Sequence, residues 1–250
     1  MSEEFRIVDS GPFSEAMHHA LDEVMTEKMK KREIKPTLRF WYRENPAVPL
    51  GRFQSFEDEV QTEYVKEKDI EVVRRLTGGG AMYVEPENVI TYSLYLPKKK
   101  VPEDIEESYR ELDSWVLEAL NELGLEVEHQ PLNDIVHPEG KIGGAAQLRR
   151  RRSVLHHATL SYSLDIPEML KVLRIGKEKL SDKAIKSAEK RVAVMKDHID
   201  HTREEVIEAL KDKFREKYGG TEKPLSTEEM VSAGRLVDKK FSRRKWNRKM

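Results

Sequence analysis

Three consecutive glycines limit what the first third of this chain can form. They follow an alternating apolar segment, Ile70–Val73, in the order Arg74, Arg75, Leu76, Thr77, Gly78, Gly79, Gly80, Ala81. Glycine runs destabilise regular elements, so a folded protein keeps them where the backbone bends sharply or approaches a ligand closely. Backbone amides in such a loop can bind anions, and a guanidinium matches phosphate or carboxylate geometry. The segment therefore predicts a strand followed by an anion-binding loop.

Length and composition exclude several classes of protein. The 250 residues suffice for one large domain with its own core. There is no cysteine, which excludes disulfides, thiolate metal sites and a cysteine nucleophile. A formal net charge of -1 argues against a polyanion-binding molecule, and 36% charged residues suit the ion-pair networks of thermophilic proteins. Since no apolar run has the length of a signal peptide or a membrane span, we expect a soluble cytoplasmic protein that binds no membrane.

The order of the predicted elements favours an α+β (mixed α/β) fold. Apolar residues at helical spacing predict helices over Phe13–Glu33, with Ser14 as N-cap, and over Glu103–Leu123, with a shorter one at Glu57–Lys68. Alternating patterns predict strands at Thr37–Tyr42, Ala47–Phe53, Glu71–Arg74, Val89–Leu96, Lys141–Gln147 and Val154–Leu164. Strands and helices mix without a βαβ rhythm, and the glycines lack dinucleotide or P-loop spacing, so neither of those folds is expected.

A second group of polar residues follows the middle of the chain. Asn133-Asp134 precedes the segment Gly140–Gln147, which reads GKIGGAAQ. One carboxylate beside one amide suits a hard cation such as Mg²⁺ that arrives with a nucleotide. Lys141 begins an otherwise apolar strand of small residues, where a buried ammonium needs an anion. The two groups together predict a pocket for phosphate and carboxylate.

Each of these features also has an ordinary structural explanation. Lys141 alone is most simply a solvated surface lysine, and Asn133-Asp134 alone is most simply a turn. Arg74 and Arg75 point to opposite faces of a strand, so at most one of them enters a given pocket. The functional interpretation depends on the groups occurring together.

In this order, the groups resemble the lipoate-protein ligases. The matching segments are Arg74–Ala81, Asn133-Asp134, Lys141–Gln147 and His156–Leu160, with Ala20–Glu23, Leu50–Gln54 and Ala188–Val192 as further matches. The resemblance covers most of residues 5 to 195. It implies a catalytic fold like that of the biotin and lipoate ligases, with mixed β-sheets flanked by helices, over residues 1–195. We expect residues 196–250 to form a helical extension packed on the same domain.

The resemblance implies a reaction in two halves. Lipoate and ATP give lipoyl-AMP, and the lipoyl group then passes to a lysine of a lipoyl domain, in a 2-oxoacid dehydrogenase E2 component or a glycine-cleavage H protein. Lys141 matches the catalytic lysine, whose charge offsets the repulsion between carboxylate and α-phosphate. Asp134 and Asn133 match the residues that hold Mg²⁺. The residues implied to bind ATP, the adenylate or lipoate are Arg74, Arg75, Thr77, Gly78, Gly79, Gly80, Ala81, Asn88, Asn133, Gly144, Ala145 and His157.

The sequence departs from the family pattern just after the glycines. Tyr83–Asn88 stands where the family commonly has a His-Asp pair and a further glycine, so only Asn88 is carried over from this segment. The chain is also too short to hold the full C-terminal domain of two-domain ligases. We therefore expect a monomeric catalytic subunit, similar to archaeal bipartite forms, with weak or absent adenylation unless a small accessory subunit is present.

Other functions stay open at this point. An octanoyl- or lipoyl-transferase of the same fold is the nearest, but such enzymes hold the acyl group on a cysteine, and this chain has none. Biotin-protein ligases share the fold family but have a different glycine-containing loop. A nucleic-acid-binding module could use the run Arg149–Arg152, although no aromatic residues are interleaved with it. A non-catalytic accessory protein on the same fold would not need Lys141.

Overall fold

The computed structural model describes residues 4–174 and 192–249, and most of its strands belong to one mixed sheet. The strands are β1 (Arg6–Phe13), β2 (Thr37–Arg43), β3 (Ala47–Leu50), β4 (Glu71–Arg74), β5 (Val89–Pro97), β6 (Glu128–Gln130), β7 (Asp134–His137), β8 (Gly140–Arg149), β9 (Ser153–Ser161) and β10 (Thr221–Glu222). The 8-stranded sheet has the order β10-β1-β2-β5-β9-β8-β7-β6, and β3 pairs with β4 in a sheet of their own. Strand β1 is parallel to β2 and β10. The other neighbouring pairs of this sheet, β2-β5, β5-β9, β9-β8, β8-β7 and β7-β6, are antiparallel.

Helices flank the sheets on both sides. They are α1 (Glu15–Lys31), α2 (Phe56–Glu59), α3 (Thr62–Glu67), α4 (Ile105–Glu122), α5 (Ile166–Val172), α6 (Arg203–Tyr218), α7 (Thr227–Leu236) and α8 (Arg244–Asn247). Short 3₁₀ turns occur at Lys98–Lys100 and Met195–Asp197, and a π-helical turn at Val237–Phe241. No helix within the described ranges combines the length and the apolar character that crossing a bilayer requires. The predicted α+β architecture is confirmed.

The longer helices begin and end where local chemistry requires it. The Ser14 side chain accepts the amide N–H of Met17 and caps α1, as predicted, and Arg32 ends the helix with a left-handed φ of 63°. Asp104 caps α4 in the same way. The apolar stripe of α4 then buries Trp115 and Val116 against the sheet.

The two faces of the large sheet serve different purposes. One face carries the main hydrophobic core, in which Tyr92 of β5 and Trp115 of α4 meet Phe214 of α6. The other face is covered at one end by α1, whose Met25 and Met29 pack on Tyr95. Beyond the N-terminus of α1 this face is left to a cavity.

The small sheet closes over that cavity. Strand β3 lies parallel to β4, from Ala47 opposite Glu71 to Leu50 opposite Arg74. The strand is shorter than the expected Ala47–Phe53, because it ends at Leu50, just before Gly51. A Cβ at Gly51 would lie 1.9 Å from the carbonyl oxygen of Gly79, so only glycine lets the two loops approach.

The C-terminal segment contacts the rest of the chain at several points. Helix α6 packs on α4, α7 packs on α1, and β10 extends the large sheet beside β1. The expected match at Ala188–Val192 lies outside the described residues, except for Val192. Val192 forms a parallel bridge with Lys141, and the amide of Ala193 donates to the Lys141 carbonyl.

Candidate active site

A cavity of about 340 Å³ lies between the large sheet and the glycine loop. Its floor is a row of residues directly opposite one another on four neighbouring strands: Trp41, Thr91, Thr159 and Gly144. Asp134 of β7 continues this row beyond Gly144. Paired residues in a sheet point to the same face, so the row forms a continuous surface. Three strand spacings of about 4.8 Å separate Trp41 from Gly144, which is roughly 14 Å.

Lys141 and Asp134 lie together at one end of this row. The ammonium nitrogen of Lys141 is 2.6 Å from Oδ1 of Asp134, and the lysine side chain is 45% exposed. A Cβ on Gly144 would lie 3.0 Å from that nitrogen and 3.1 Å from the lysine Cε. The missing side chain at Gly144 thus lets Lys141 lie flat over the strand.

Arg75 and the glycine loop form the opposite wall. The Arg75 guanidinium donates to Oγ1 of Thr77 at 2.8 Å and to the carbonyl of Gly80 at 2.9 Å. Gly79 has a φ of 98°, and a Cβ there would lie 2.6 Å from Nη2 of Arg75. Burial lowers the pKa of Arg75 to about 10, so it remains a cation at neutral pH. Gly79, Gly80 and Ala81 all border the cavity.

Arg74 points the other way, as the alternation of a strand requires. Its guanidinium donates to the backbone carbonyls of Gly51, Arg52, Gln54, Trp246 and Asn247. The Trp246 indole in turn donates to the carbonyl of Arg74 at 2.8 Å. Arg74 therefore joins the C-terminal segment to the strand before the glycine loop and does not border the cavity.

Two further residues implied by the resemblance lie away from the cavity. Gly78 is nearest to the ring of Phe53, which is 77% exposed. Asn88 donates to the Glu85 carboxylate and accepts the hydroxyl of Ser163. Both positions belong to loops that border the site without contributing to its wall.

A buried hydrogen-bonded chain supports the wall beside Arg75. The imidazole Nε2 of His157 lies 2.7 Å from the Thr77 hydroxyl, and its Nδ1 lies 3.0 Å from Oδ2 of Asp22. Burial lowers the pKa of His157 to about 4, which keeps the ring neutral at pH 7. Because an ionised carboxylate only accepts, Nδ1 carries the hydrogen and Nε2 accepts from Thr77. Both ring nitrogens are thus occupied.

Asp22 connects that chain to a buried cation. Its Oδ1 accepts from Arg39 at 2.9 Å, from Ser93 at 2.8 Å and from Tyr95 at 2.6 Å. Burial alone would raise the pKa of Asp22, but the hydrogen bond from His157 and the charge of Arg39 hold it well below its usual range. The carboxylate is therefore ionised and orients His157.

The far end of the cavity is polar. Glu15, at the start of α1, is buried and lies 2.7 Å from Nε of Arg43. Arg43 also donates to Thr91, and His19 lies 3.0 Å from the Glu15 carboxylate. Burial alone would raise the pKa of Glu15, and the guanidinium of Arg43 and the imidazole of His19 outweigh it, so the pKa is lowered.

Sequence reasoning missed this cluster and the role of Asp22. The segment Ala20–Glu23 contains Asp22 but carried no assigned role, because its partner His157 is distant in sequence. Ala145 packs in the core on the other face of the sheet and also borders the cavity. Ala146 borders the cavity as well and lies opposite His157.

The Asn133 and Asp134 side chains offer a limited oxygen donor set for a metal ion. The Asn133 side-chain amide donates to the carbonyl of Ala145, which leaves its oxygen free of that bond. Among the described residues, no group of three or more histidine, cysteine or acidic side chains could hold a metal. One carboxylate and one amide fit Mg²⁺ only when phosphate and water supply its other ligands.

Comparison with known proteins identifies the family. Residues 14–215 match the family model of the lipoyl protein ligase A/B catalytic domain, and the chain belongs to this family. Lipoate-protein ligase A subunit 1 of Thermoplasma acidophilum is 34% identical over 248 residues, covering 94% of this chain and 93% of the relative. The octanoyltransferase LipM of Oceanobacillus iheyensis is 28% identical over 201 residues, covering 73% of each chain.

Solved structures have the same fold over the whole chain. A bipartite lipoate protein ligase from T. acidophilum superimposes with a TM-score of 0.86 at 32% identity, covering 99% of this chain and 96% of the other. A lipoate-protein ligase A bound with ATP gives 0.84 at 29% identity, covering 99% of each. A T. acidophilum protein with bound lipoic acid gives 0.82 at 28% identity, covering 100% of each.

Proposed function

We propose that this chain is the catalytic subunit of a lipoate-protein ligase. It activates lipoate with ATP to lipoyl-AMP and transfers the lipoyl group to a lysine of a lipoyl-domain protein. The observation that carries the proposal is the arrangement of Lys141 over Gly144, at one end of a cavity whose opposite wall is the Arg75 and glycine loop. Two cations and the glycine loop thereby border one cavity.

The first half-reaction brings two anions together. The lipoate carboxylate attacks the α-phosphorus of ATP, a P–O bond forms, and pyrophosphate leaves. Lys141 exchanges its contact with Asp134 for the carboxylate and phosphate oxygens, where its charge offsets their repulsion. Gly79 and Gly80 allow the nucleotide phosphate to approach the loop, and Arg75 adds charge to the same wall.

In the second half-reaction, the amine of the acceptor lysine attacks the acyl carbonyl. The C–N bond of the amide forms, the bond between the acyl carbon and the phosphate oxygen breaks, AMP leaves, and the amine proton passes to solvent. His157 does not act as the base, because Thr77 and Asp22 occupy its two nitrogens; it holds the wall beside the acyl chain. The apolar part of the cavity wall limits the access of water to the mixed anhydride until the acceptor arrives.

Asp134 and Asn133 would hold Mg²⁺ in this scheme. The ion would arrive with ATP and neutralise charge on its phosphates, and the nucleotide and water would complete its coordination. The release of Asp134 from Lys141 during nucleotide binding frees one carboxylate for that purpose. In this scheme Lys141 and Asp134 separate, Lys141 then contacts the carboxylate and phosphate oxygens, and Asp134 would bind the ion.

An accessory subunit and a lipoyl domain are the proposed partners. The T. acidophilum relative is a bipartite ligase and was solved as part of a lipoylation system with its E2 lipoyl domain. By analogy, the isolated chain adenylates lipoate weakly or not at all, and a separate small subunit completes the enzyme. Nucleic acid has no part in this function.

An octanoyltransferase is the second candidate, because LipM proteins are among the relatives. The 250 residues contain no cysteine, so an acyl-thioester on the protein is excluded. Transfer would have to use another nucleophile. The Thr77 hydroxyl faces His157, but Thr77 is only 1% exposed and is not among the residues that line the cavity. The ligase is therefore the better supported function.

One experiment separates the two candidates. Purified chain is incubated with lipoate and Mg-ATP, with and without a candidate accessory subunit, and pyrophosphate release is measured. In parallel, octanoyl transfer from an octanoylated carrier to a lipoyl domain is measured without ATP. The ligase predicts pyrophosphate release that depends on lipoate, and no ATP-independent transfer. Octanoyl transfer without ATP, together with no pyrophosphate under any condition, would contradict it.

A further inference from the structure

The C-terminal helix α8 forms hydrogen bonds with the last residue of strand β4. The Trp246 indole donates to the carbonyl of Arg74 at 2.8 Å, and Oδ1 of Asn247 accepts the Arg74 amide N–H at 3.0 Å. In return, the Arg74 guanidinium donates to the carbonyls of Trp246 at 3.2 Å and of Asn247 at 3.1 Å. Helix α8 thus holds both the backbone and the side chain of Arg74.

The orientation of the Asn247 amide is determined by a second bond. Its Nδ2 donates to the carbonyl of Phe241 at 2.6 Å, so Oδ1 is the atom that faces Arg74. Phe241 is fully buried in the hydrophobic cluster between α1 and the C-terminal segment. The bond to Arg74 therefore starts from a fixed part of the core.

The Arg74 guanidinium continues this connection to the loop Gly51–Gln54. It donates to the carbonyls of Gly51 at 2.9 Å and of Gln54 at 2.6 Å. Arg74 is 1% exposed, and it forms no ion pair with a carboxylate within the described ranges. A buried cation without a counter-ion is costly, and here all its hydrogen bonds go to backbone carbonyls. The arrangement therefore fixes backbone positions on both sides of Arg74.

The loop Gly51–Gln54 in turn holds the glycine loop. The amide of Arg52 donates to the carbonyl of Thr77 at 2.9 Å, and the Cα of Gly51 lies so close to the Gly79 carbonyl that no side chain would fit. The Arg52 guanidinium lies 4.4 Å from the centre of the Trp246 ring. One side of this loop thus contacts α8, and the other contacts the backbone that borders the cavity.

We propose that Trp246 and Asn247 are positioning residues for the nucleotide, which act through Arg74 and the loop Gly51–Gln54 on the glycine loop. The inference rests on the proposed ligase function. Neither residue borders the cavity, so neither contacts substrate. Three consecutive glycines have large conformational freedom, and binding a phosphate to them is weaker when that freedom must be lost at the same time. Contacts that order the loop beforehand strengthen nucleotide binding.

The test measures binding of two ligands to the full-length chain by calorimetry. One ligand is α,β-methylene-ATP with Mg²⁺, which cannot release pyrophosphate, and the other is lipoate. In Asn247→Leu, we expect the dissociation constant of the nucleotide to rise about tenfold or more. The dissociation constant of lipoate should stay within about twofold, because α8 packs on β4 and not on the strands of the cavity floor. Equal weakening of both ligands would overturn the proposal.

Two further variants separate positioning from stability. Asn247→Asp keeps the acceptor for the Arg74 N–H but, like Asn247→Leu, loses the bond to Phe241. Both variants should lose stability, whereas only Asn247→Leu should lose nucleotide affinity. Ser242→Ala is the matched control, because it removes a hydrogen bond to Val237 in the same segment without touching Arg74. Nucleotide affinity that follows stability across the three variants would show a purely structural role and contradict the proposal.

Hydrogen exchange reports on the glycine loop itself. Amide exchange of the peptide containing residues 77–81 should be faster in Asn247→Leu than in the wild-type chain, with exchange in α4 unchanged. Faster exchange throughout the molecule, or no change at the loop, would contradict the proposal.

These outcomes are distinct from failure of the proposed function. If the wild-type chain binds lipoate but not the nucleotide, α8 does not prepare the nucleotide site and the inference is overturned. The ligase function is then still decided by pyrophosphate release in the presence of the accessory subunit. If the wild-type chain binds both ligands and Asn247→Leu binds them equally well, the ligase function stands and the positioning role is contradicted.

Discussion

Replacing Asp22 by asparagine tests the buried network behind His157. Asp22 uses both carboxylate oxygens: Oδ1 accepts from Arg39, Ser93 and Tyr95, and Oδ2 accepts from His157. In Asp22→Asn, one oxygen becomes an NH₂ group, which must face either Arg39 or the Nδ1–H of His157. In both orientations a donor meets a donor, and Arg39 loses its counter-charge.

The expected cost follows from breaking a buried ion pair. Arg39 is 0% exposed and Asp22 is 1% exposed as side chains, so solvent cannot replace the lost charge. Removing one partner of such a pair costs about 3 to 5 kcal/mol of unfolding free energy. Denaturant unfolding monitored by tryptophan fluorescence measures it.

Asp113→Asn provides a matched control on the other face of the sheet. Asp113 is also fully buried and also binds a histidine and a tyrosine, His156 and Tyr92, but it has no arginine partner. Both of its hydrogen bonds use Oδ1, which an asparagine oxygen can replace. The NH₂ group then takes the place of Oδ2, which is buried without a partner among the described residues, so we expect a loss of about 2 kcal/mol. If Asp22→Asn costs no more than Asp113→Asn, compensation of the Arg39 charge is not the role of Asp22.

Three further predictions concern acid stability, the glycines of β8 and the C-terminal contact. The pKa of His157 is about 4 in the folded chain and about 6.5 ordinarily, so the unfolded chain gains a proton first as the pH drops. The free energy of unfolding should therefore fall by about 3 kcal/mol between about pH 6.5 and pH 4. In His157→Gln this contribution to the pH dependence of the unfolding free energy should be missing. Gly144→Ala places a Cβ 3.0 Å from the Lys141 nitrogen and should lower adenylation about tenfold or more with little change in stability. The Cβ of Gly143→Ala would meet Leu160 and a backbone carbonyl instead and should cost about 2 kcal/mol of stability. If the two alanine variants had equal effects on adenylation and on stability, the assignment of Gly144 to the support of Lys141 would be contradicted. Trp246→Ala removes the indole bond to the strand before the glycine loop and should cost about 2 kcal/mol in denaturant unfolding, and an unchanged midpoint would show that this contact is not stabilising.

Local signals predicted much of the fold. The Ser14 cap, the apolar stripe of α4 and the alternation of β8 and β9 are properties of short segments, and the structure confirms each of them. Which strands pair with each other could not be predicted from such local patterns when the strands are distant along the chain. Strand β3 follows a turn after β2 but pairs with β4 instead, in parallel, after the connection through α2 and α3.

The candidate site also has features that local sequence predicted and features that it did not. The alternation of Arg74 and Arg75 is local, and it correctly predicted that only one of them reaches the cavity. The cluster of Glu15, His19 and Arg43 depends on where α1 and β2 meet, which no motif of the sequence indicated. Contacts that join residues distant along the chain carry most of the site's polarity.

The role of Lys141 can be tested most directly by mass spectrometry of an acceptor. A lipoyl-domain protein is incubated with lipoate, Mg-ATP, a candidate accessory subunit and either the wild-type chain or Lys141→Gln, and its intact mass is recorded. We expect a lipoyl mass increase with the wild-type chain, and a loss of at least about a hundredfold in rate with Lys141→Gln at unchanged thermal stability. Equal lipoylation by the two proteins, or no lipoylation by the wild-type chain with any candidate accessory subunit, would contradict the proposed function.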